Sequence, residues 1–255
     1  MSNPIRSRFI TGKKLLAVLV AIISLQAMAQ NDAEYLNVLA VNGLNMRSRP
    51  DADARIVTRV AFGKRVEVAE RTKVELQLGW IRDNWFRVRY RGREGFIFGG
   101  YLSGLPAPEA ATGNVSSGRQ ATTLPELLLG YAKEAFTPEG KAVRSLEPDA
   151  SGDTLNHTLL RFVGGIELEM EQRADHASVL LLLPYDVEKT YVLLEALLKQ
   201  NGRSELLERL RFVKGKDGRL SRVSSADGAV RISRLSGERA GLRVAGRGTG
   251  DGGRG

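Results

Sequence analysis

The sequence predicts a mainly β chain: a small antiparallel β-barrel, then a linker, then an α+β unit with helices packed on an antiparallel sheet. Short apolar runs separated by turn residues fill residues 33–104, which is typical of a small barrel. Residues 105–122 are rich in Pro, Ala, Thr, Gly and Ser, a composition that indicates a flexible linker. Residues 123–245 mix helical and alternating apolar patterns, which favours an α+β unit. The length of 255 residues, with 42% hydrophobic and 26% charged, suits one or two globular domains.

The N-terminus has the composition of a secretory signal peptide. Four basic residues and no acidic ones precede an apolar run over 15–25: Arg6, Arg8, Lys13 and Lys14. Small residues at Ala27 and Ala29 follow, so we expect a signal peptide over 1–29 with cleavage after Ala29. An uncleaved membrane anchor is the alternative, although an eleven-residue run is short for a bilayer span of about 20 residues. Cleavage would lower the net charge from +9 to +5 and place the chain in the periplasm or cell envelope, with no membrane span retained.

An ordered set of short motifs accompanies the β-rich segment. They are L-N-M-R-S-R-P at 44–50, Val57, Val60 and Gly63, then Val66 and Val68, W-F-R-V at 85–88, G-F-I at 95–97 and Tyr101-Leu102. This set resembles the bacterial SH3 (SH3b) family over about 70 residues. Three positions depart from the family pattern, with Met46 for Val, Arg49 for Gly and Phe96 for Trp. A long, charged loop is expected between Ala69 and Trp85.

The resemblance implies an SH3-like β-barrel that binds rather than catalyses. Some members of the family dock cell-wall peptides or glycan, so a cell-wall polymer, peptidoglycan in particular, or an envelope protein is the expected partner. The candidate ligand-binding residues are Asn45, Arg47, Arg49, Trp80 and Tyr101. For Arg47 a structural role is favoured, in which its guanidinium bonds backbone carbonyls. Trp85 is expected in the core, because buried aromatic rings dominate small cores.

The helical signals of the second unit are capping patterns. Thr123 and Glu126 form a capping box, which opens a helix of about thirteen residues. Asp186 is a predicted N-cap for a helix over 187–200, ended by Asn201-Gly202. Ser204 is predicted to cap a second short helix, and residues 141–154 are expected to be irregular.

The strand signals of the second unit predict a hairpin, a central strand and a meander. In the hairpin over 157–172, a three-residue turn sets Phe162 against Ile166 and Arg161 against Glu167, with Gly165 at positive φ. Its second strand carries Glu167, Glu169 and Glu171 along one face. Val179–Leu183 is a wholly apolar run, predicted as a central strand covered on both faces. Three short strands are expected over 218–245, with Arg222 and Arg234 sharing a face.

Catalytic and cofactor signatures are absent from the sequence. With no Cys there is no disulfide, no Cys-ligated zinc and no thiol nucleophile, and two His are too few for a multi-His zinc site. No Walker loop, no G-x-S-x-G and no H-E-x-x-H occurs. We therefore expect no catalytic residue, no metal and no cofactor. The alternative is an envelope hydrolase with residues 120–245 catalytic and the SH3b unit targeting it.

The basic pI of about 10.0 raises nucleic acid as a partner. A Gly/Arg tail over 246–255, predicted to be disordered, adds to that reading. Export argues against it, because an exported chain meets anionic lipid and cell-wall polymers first. We therefore expect no nucleic-acid partner.

Overall fold

A computed structural model describes residues 33–109, 123–148, 154–235 and 239–247. The predicted signal peptide, most of the predicted linker and most of the Gly/Arg tail lie outside these ranges. By its contacts, the described part of the chain from Tyr35 onward forms one compact unit. In the described part of the chain, no helix is long and apolar enough to cross a membrane.

The N-terminal module, residues 34–105, is built on a seven-stranded antiparallel sheet. Its strands are β1 (Glu34–Val38), β2 (Leu44–Arg47), β3 (Ile56–Val60), β4 (Arg65–Leu78), β5 (Ile81–Tyr90), β6 (Arg93–Phe98) and β7 (Leu102–Ser103). The spatial order is β3-β2-β6-β5-β4-β1-β7, so β3 and β7 lie at opposite edges and do not pair. The predicted barrel is therefore a half-barrel. Its core is formed by buried residues that include Val38, Met46, Val60, Phe86, Val88 and Ile97, and Trp85 is buried as expected.

The segment between Ala69 and Trp85 is a hairpin rather than the expected loop. Strand β4 runs for 14 residues and pairs with β5 as far as Leu78 and Ile81. The alternation of Val74, Leu76 and Leu78 with polar residues is the period-2 signal that predicts such a strand. The hairpin extends the half-barrel and places its tip at Gly79-Trp80.

The C-terminal module, residues 123–247, is mostly sheet. Its eight antiparallel strands are β8 (Val143–Pro148), β9 (Thr154–Phe162), β10 (Ile166–Gln172), β11 (His176–Leu183), β12 (Leu210–Lys214), β13 (Leu220–Ser225), β14 (Val230–Arg234) and β15 (Ala240–Arg247), in the order β12-β13-β14-β15-β11-β10-β9-β8. Two helices pack on it, α1 (Leu124–Ala135) and α2 (Val187–Gln200). The expected layer of helices is thus reduced to two, which is a correction to the predicted fold class.

Strand β8 also corrects the expectation of irregular structure over 141–154. It is an edge strand whose residues are almost all exposed, so it has no apolar pattern to reveal it. The second predicted helix, from Ser204, is a 3₁₀ helix over Ser204–Arg209 with no side-chain cap, and Leu210 already belongs to β12.

The capping and register predictions are confirmed. Thr123 and Glu126 form both hydrogen bonds of a capping box, and the Asp186 carboxylate accepts a hydrogen bond from the Lys189 amide. In the β9–β10 hairpin Phe162 faces Ile166 and Arg161 faces Glu167, with φ of 72° at Gly165. These features depend on local hydrogen bonds and cross-strand pairs, so the sequence contains the information for them.

The structure corrects two predictions about the second sheet: how strand β11 is covered, and on which face Arg222 and Arg234 lie. Leu181 and Leu183 of β11 are buried, whereas Leu180 and Leu182 are only half-buried, so this strand is fully covered on one face only. Arg222 pairs with Ser233, which places Arg222 and Arg234 on opposite faces.

One continuous core joins the two modules. Leu39, Ile81, Phe98 and Leu105 of the N-terminal module belong to the same buried cluster as α1, α2 and the second sheet. Burial of shared apolar surface of this kind stabilises the pair of modules together.

Candidate functional site

A basic depression lies on the N-terminal module. It encloses about 390 Å³ and is lined by Thr58, Arg59, Ala61, Lys64, Tyr90, Arg91 and Arg93. Four of these seven residues are cationic and none is acidic. We call this depression the basic cleft.

Three local structures position the cations of the basic cleft. Arg59 lies on the edge strand β3, and Lys64 ends the turn before β4. Arg91 and Gly92 form the two-residue turn between β5 and β6, with φ of 49° and 71°. Positive φ at both positions is the geometry of a type I′ hairpin turn. Arg93 then begins β6, so the cleft depends on the half-barrel being formed.

The conformation of Arg91 is strained. It is the one residue other than glycine with positive φ in the described part of the chain. An L-residue with a Cβ in this region costs about 1 kcal/mol, and Asn or Asp tolerates it best. A strained, exposed arginine at the edge of a depression is a candidate functional residue.

The cations of the basic cleft have no carboxylate partners among the described residues. Arg93 Nη1 donates to the carbonyl of Val57 at 3.3 Å, and the Arg91 guanidinium lies 5.4 Å from the centre of the Tyr90 ring. Arg59 and Lys64 form no side-chain ion pair with any residue that the structure describes.

Two neighbouring arginines on the same sheet, in contrast, are paired with carboxylates. Arg89 lies 2.7 Å from a Glu67 oxygen, and Arg87 lies 3.1 Å from Glu70 and 3.0 Å from Glu94. The Glu67 carboxylate raises the pKa of Arg89 by hydrogen bonding and charge. The described cations of the basic cleft thus differ from Arg87 and Arg89 in having no carboxylate beside them.

A second depression adjoins the cleft through Lys64. It encloses about 640 Å³, and its lining includes Tyr35, Phe62, Arg65, Pro106 and Glu109. The Arg65 guanidinium lies 4.9 Å from the centre of the exposed Tyr35 ring. The linings of the two depressions together contain cationic and aromatic groups, which suits an extended ligand with anionic and apolar parts.

The sequence-predicted site residues fall into two separate groups. Asn45 and Arg47 lie on β2, and Arg49 follows in the next turn. Arg47 Nη1 donates to the carbonyl of Ala54 at 2.6 Å, as its structural interpretation predicts. Arg49 is exposed, 3.9 Å from an Asp51 oxygen. None of the three lines either depression.

Trp80 and Tyr101, the other two, contact the C-terminal module. The Trp80 ring stacks on Phe212 with centres 4.9 Å apart, and the Lys214 ammonium lies 5.6 Å from its centre. Tyr101 packs edge-on to Phe98 and joins the shared core. Burial, with a smaller effect of the Glu195 charge, raises the pKa of Tyr101 to about 12. A ligand-binding role for all five residues stays a prediction.

Two ion-pair clusters join the modules close to these aromatic rings. The Glu188 carboxylate is buried and accepts hydrogen bonds from the amides of Arg82, at 2.9 Å, and Leu220, at 3.1 Å. Arg219 Nη2 lies 3.2 Å from the same carboxylate. Lys189 Nζ lies 2.7 Å from Asp83 and also donates to the carbonyls of Gly99 and Leu102. Here every charge has a partner.

The arrangement at the basic cleft supports binding of anions. Guanidinium groups present planar pairs of donors that match carboxylates. Within the described residues, no group of three or more His, Asp or Glu side chains is placed to hold a metal ion. The sequence signal for the cleft exists in R-V-A-F-G-K-R at 59–65 and Y-R-G-R at 90–93, but only the sheet register brings the two segments together.

Comparison with known proteins identifies one family. Residues 42–103 match the family model of the bacterial SH3 domain, which confirms the resemblance found in the sequence. The chain therefore contains a bacterial SH3 domain, which spans most of the N-terminal module. Searches of curated proteins and of solved structures find no match to the chain.

Proposed function

We propose that this protein binds a carboxylate-bearing cell-wall polymer, peptidoglycan in particular, through the basic cleft of its bacterial SH3 domain. The observation that supports this most is the group of four cations around Tyr90 with no acidic residue in the lining. Carboxylates on the peptide stems of a cell-wall polymer would receive paired N–H donors from the arginines.

The proposal places the protein outside the cytoplasm. A cleaved signal peptide over 1–29 would deliver it to the periplasm or cell envelope, where the polymer is accessible. The proposed role is binding and scaffolding without a catalytic step, with the C-terminal module as the rigid support of the SH3 domain. Mass spectrometry of the native protein tests export, with Gln30 as the expected first residue and Met1 as the contradicting one.

Retention on purified sacculi tests the binding site. The chain from residue 30 to 255 is expected to sediment with sacculi, and the double variant Arg59→Glu/Arg93→Glu is expected to lose at least about tenfold in affinity, because two attractive contacts become repulsive. Binding of the unaltered chain should also weaken as salt rises, since exposed charges are screened.

Two control variants make this test specific. Arg55→Glu/Arg144→Glu changes the net charge equally at exposed residues outside the cleft and should bind normally. Arg49→Glu tests the site that the sequence motif suggested and should also bind normally. Equal retention of the Arg59→Glu/Arg93→Glu variant and the unaltered chain would refute the assignment of the cleft. Release of muropeptides by the unaltered chain would favour the hydrolase alternative instead.

A further inference from the structure

The second sheet has one face on which neither helix packs. Pro125 of α1 lies 3.5 Å from where a Cβ on Gly246 would be, and Gly246 shares the face of the buried Leu242 and Val244. Helix α2 contacts β13, β14 and β15 and belongs to the same buried cluster. Both helices therefore lie on one side. We call the opposite side the open face.

The strand register places charges of opposite sign on the two halves of the open face. A row across the sheet is formed by residues that pair directly from β12 to β8: Arg211, Ser224, Arg231, Arg243, Leu180, Glu169, Leu159 and Val143. The strands β12 to β15 contribute arginines, and Arg222 adds one in the next row. The strand β10 contributes Glu167, Glu169 and Glu171. Leu180 and Leu182 of β11 separate the two halves.

Some of these charges are satisfied within the chain, and others are not. Arg243 lies 3.6 Å from Glu171, and Arg161 lies 3.7 Å from Glu167. In contrast, the structure gives Arg222, Arg231 and Glu169 no ion pair among the described residues. The unsatisfied charges are thus basic on one half and acidic on the other.

Two features of the open face reduce the stability of the isolated chain. Arg231 and Arg243 are directly opposite each other on neighbouring strands, and like charges in that position are destabilising. The half-buried Glu169 lies between Leu180 and Leu159.

The centre of the open face is apolar. Gly241 is surrounded by the side chains of Leu180, Leu182 and the exposed Leu235, and a Cβ on Gly241 would lie 3.1 to 3.4 Å from each of them. An apolar centre flanked by opposite charges is the composition of an interface.

We propose that the open face binds the open face of a second copy of this chain, in a two-fold symmetric dimer. The axis would lie between the two sheets and run along β11, so that Leu180 and Leu182 of the two copies meet. The strand order is then reversed across the axis, and β15 of one copy lies over β10 of the other. Arg243 and Arg231 of each copy come within reach of Glu169 of the partner.

Self-complementary charge is the argument for a second copy rather than an unrelated partner. A two-fold interface brings the same patch together twice, so a patch with one basic half and one acidic half satisfies itself. A purely anionic partner would leave Glu167, Glu169 and Glu171 facing like charge. With strands about 4.8 Å apart and about 3.4 Å per residue, five residues on each of eight strands cover about 650 Å² per copy. This approaches the roughly 800 Å² per partner of a stable interface.

A charge-exchange experiment in the chain from 30 to 255 tests the dimer. The unaltered chain is expected to sediment as a dimer in analytical ultracentrifugation at low salt. Arg231→Glu alone and Glu169→Lys alone should each weaken association by more than about 100-fold, because each creates two repulsive contacts per dimer. An equimolar mixture of the two variants should recover the dimer as a heterodimer, visible by native mass spectrometry, because both contacts are then attractive.

Two controls separate the loss of the dimer from a loss of folding and from a change in net charge. Arg231→Glu exchanges a repulsive cross-strand pair with Arg243 for an attractive one, so the variant monomer should unfold at an equal or higher temperature. Arg55→Glu alters the net charge equally outside the open face and should remain dimeric. A monomeric unaltered chain at all concentrations, a dimer unaffected by either variant, or a mixture that stays monomeric would each overturn the proposal. The outcome does not depend on whether the basic cleft binds a polymer.

Discussion

Two regions of the molecule are rich in cations, but the cations meet different surroundings. At the contact between the modules, Lys189 and Arg219 are partnered by Asp83, Asp186 and Glu188. At the basic cleft, Arg59, Lys64 and Arg91 have no acidic partner among the described residues. The first region is partly or fully buried, and the second is exposed.

This difference separates structural charges from charges available to a ligand. Buried charges are stable only when they are paired, so the contact between modules uses its cations to hold the fold together. Exposed cations contribute little to stability and remain free to bind. Variants of the two regions should therefore change different measurements.

The largest expected effect is at Glu188. Glu188→Ala removes the acceptor of two backbone amides and leaves Arg219 without that partner, which should lower the free energy of unfolding by about 3 kcal/mol. Urea denaturation of the chain from 30 to 255 measures it. Glu195→Ala on the same helix removes the partly exposed pair with Lys199 without taking an acceptor from a backbone amide, and should cost below about 1 kcal/mol. Equal losses in the two variants would contradict the structural role of Glu188.

An intermediate effect is expected at Trp80. Trp80→Ala removes the stacking on Phe212 and should lower the free energy of unfolding by about 1–2 kcal/mol, with retention on sacculi unchanged. A double-mutant cycle with Phe212→Ala should give a coupling near 1 kcal/mol. Loss of retention without loss of stability would instead return Trp80 to the ligand-binding site that the sequence suggested.

A smaller effect of opposite sign is expected at Arg91. Arg91→Asn relieves the positive-φ strain in the β5–β6 turn and should raise the free energy of unfolding by about 0.5 kcal/mol. The same variant removes one cation from the basic cleft, so retention on sacculi should fall. A gain in stability together with a loss of binding is the signature of a residue kept for function.

The last effect is confined to alkaline pH and is a pH dependence at the contact between modules. The unfolded chain loses the Tyr101 proton near pH 10, whereas the folded chain keeps it to about pH 12. The folded state is therefore favoured below pH 10 and loses stability as pH rises from 10 to 12. Tyr101→Phe should reduce the slope of the free energy of unfolding in this window, and an unchanged slope would contradict the burial of Tyr101.

The sequence predicted the parts of the fold that depend on local rules. The capping box of Thr123, the N-cap at Asp186 and the β9–β10 register all follow from short-range hydrogen bonds or neighbouring pairs. The bacterial SH3 motifs identified the first domain for the same reason. Edge strand β8 was missed, because an exposed strand has no apolar pattern.

The candidate site could not be predicted in the same way. Residues 59–64 and 90–93 are far apart in the chain and meet only through the order of β2, β3, β5 and β6. Trp80 is 41% exposed, as a surface residue should be, but no sequence rule reveals that its ring stacks on Phe212. The long-range contacts that decide which cations are paired are those that a single sequence does not display.

The central claim is that exposed cations of the SH3 domain hold the carboxylates of a cell-wall polymer. The most direct measurement compares binding of the unaltered chain to native sacculi and to sacculi whose carboxyl groups have been converted to neutral amides. Because the attraction depends on negative charge, the affinity should fall at least about tenfold on the amidated material. Equal affinity for the two materials would contradict the claim.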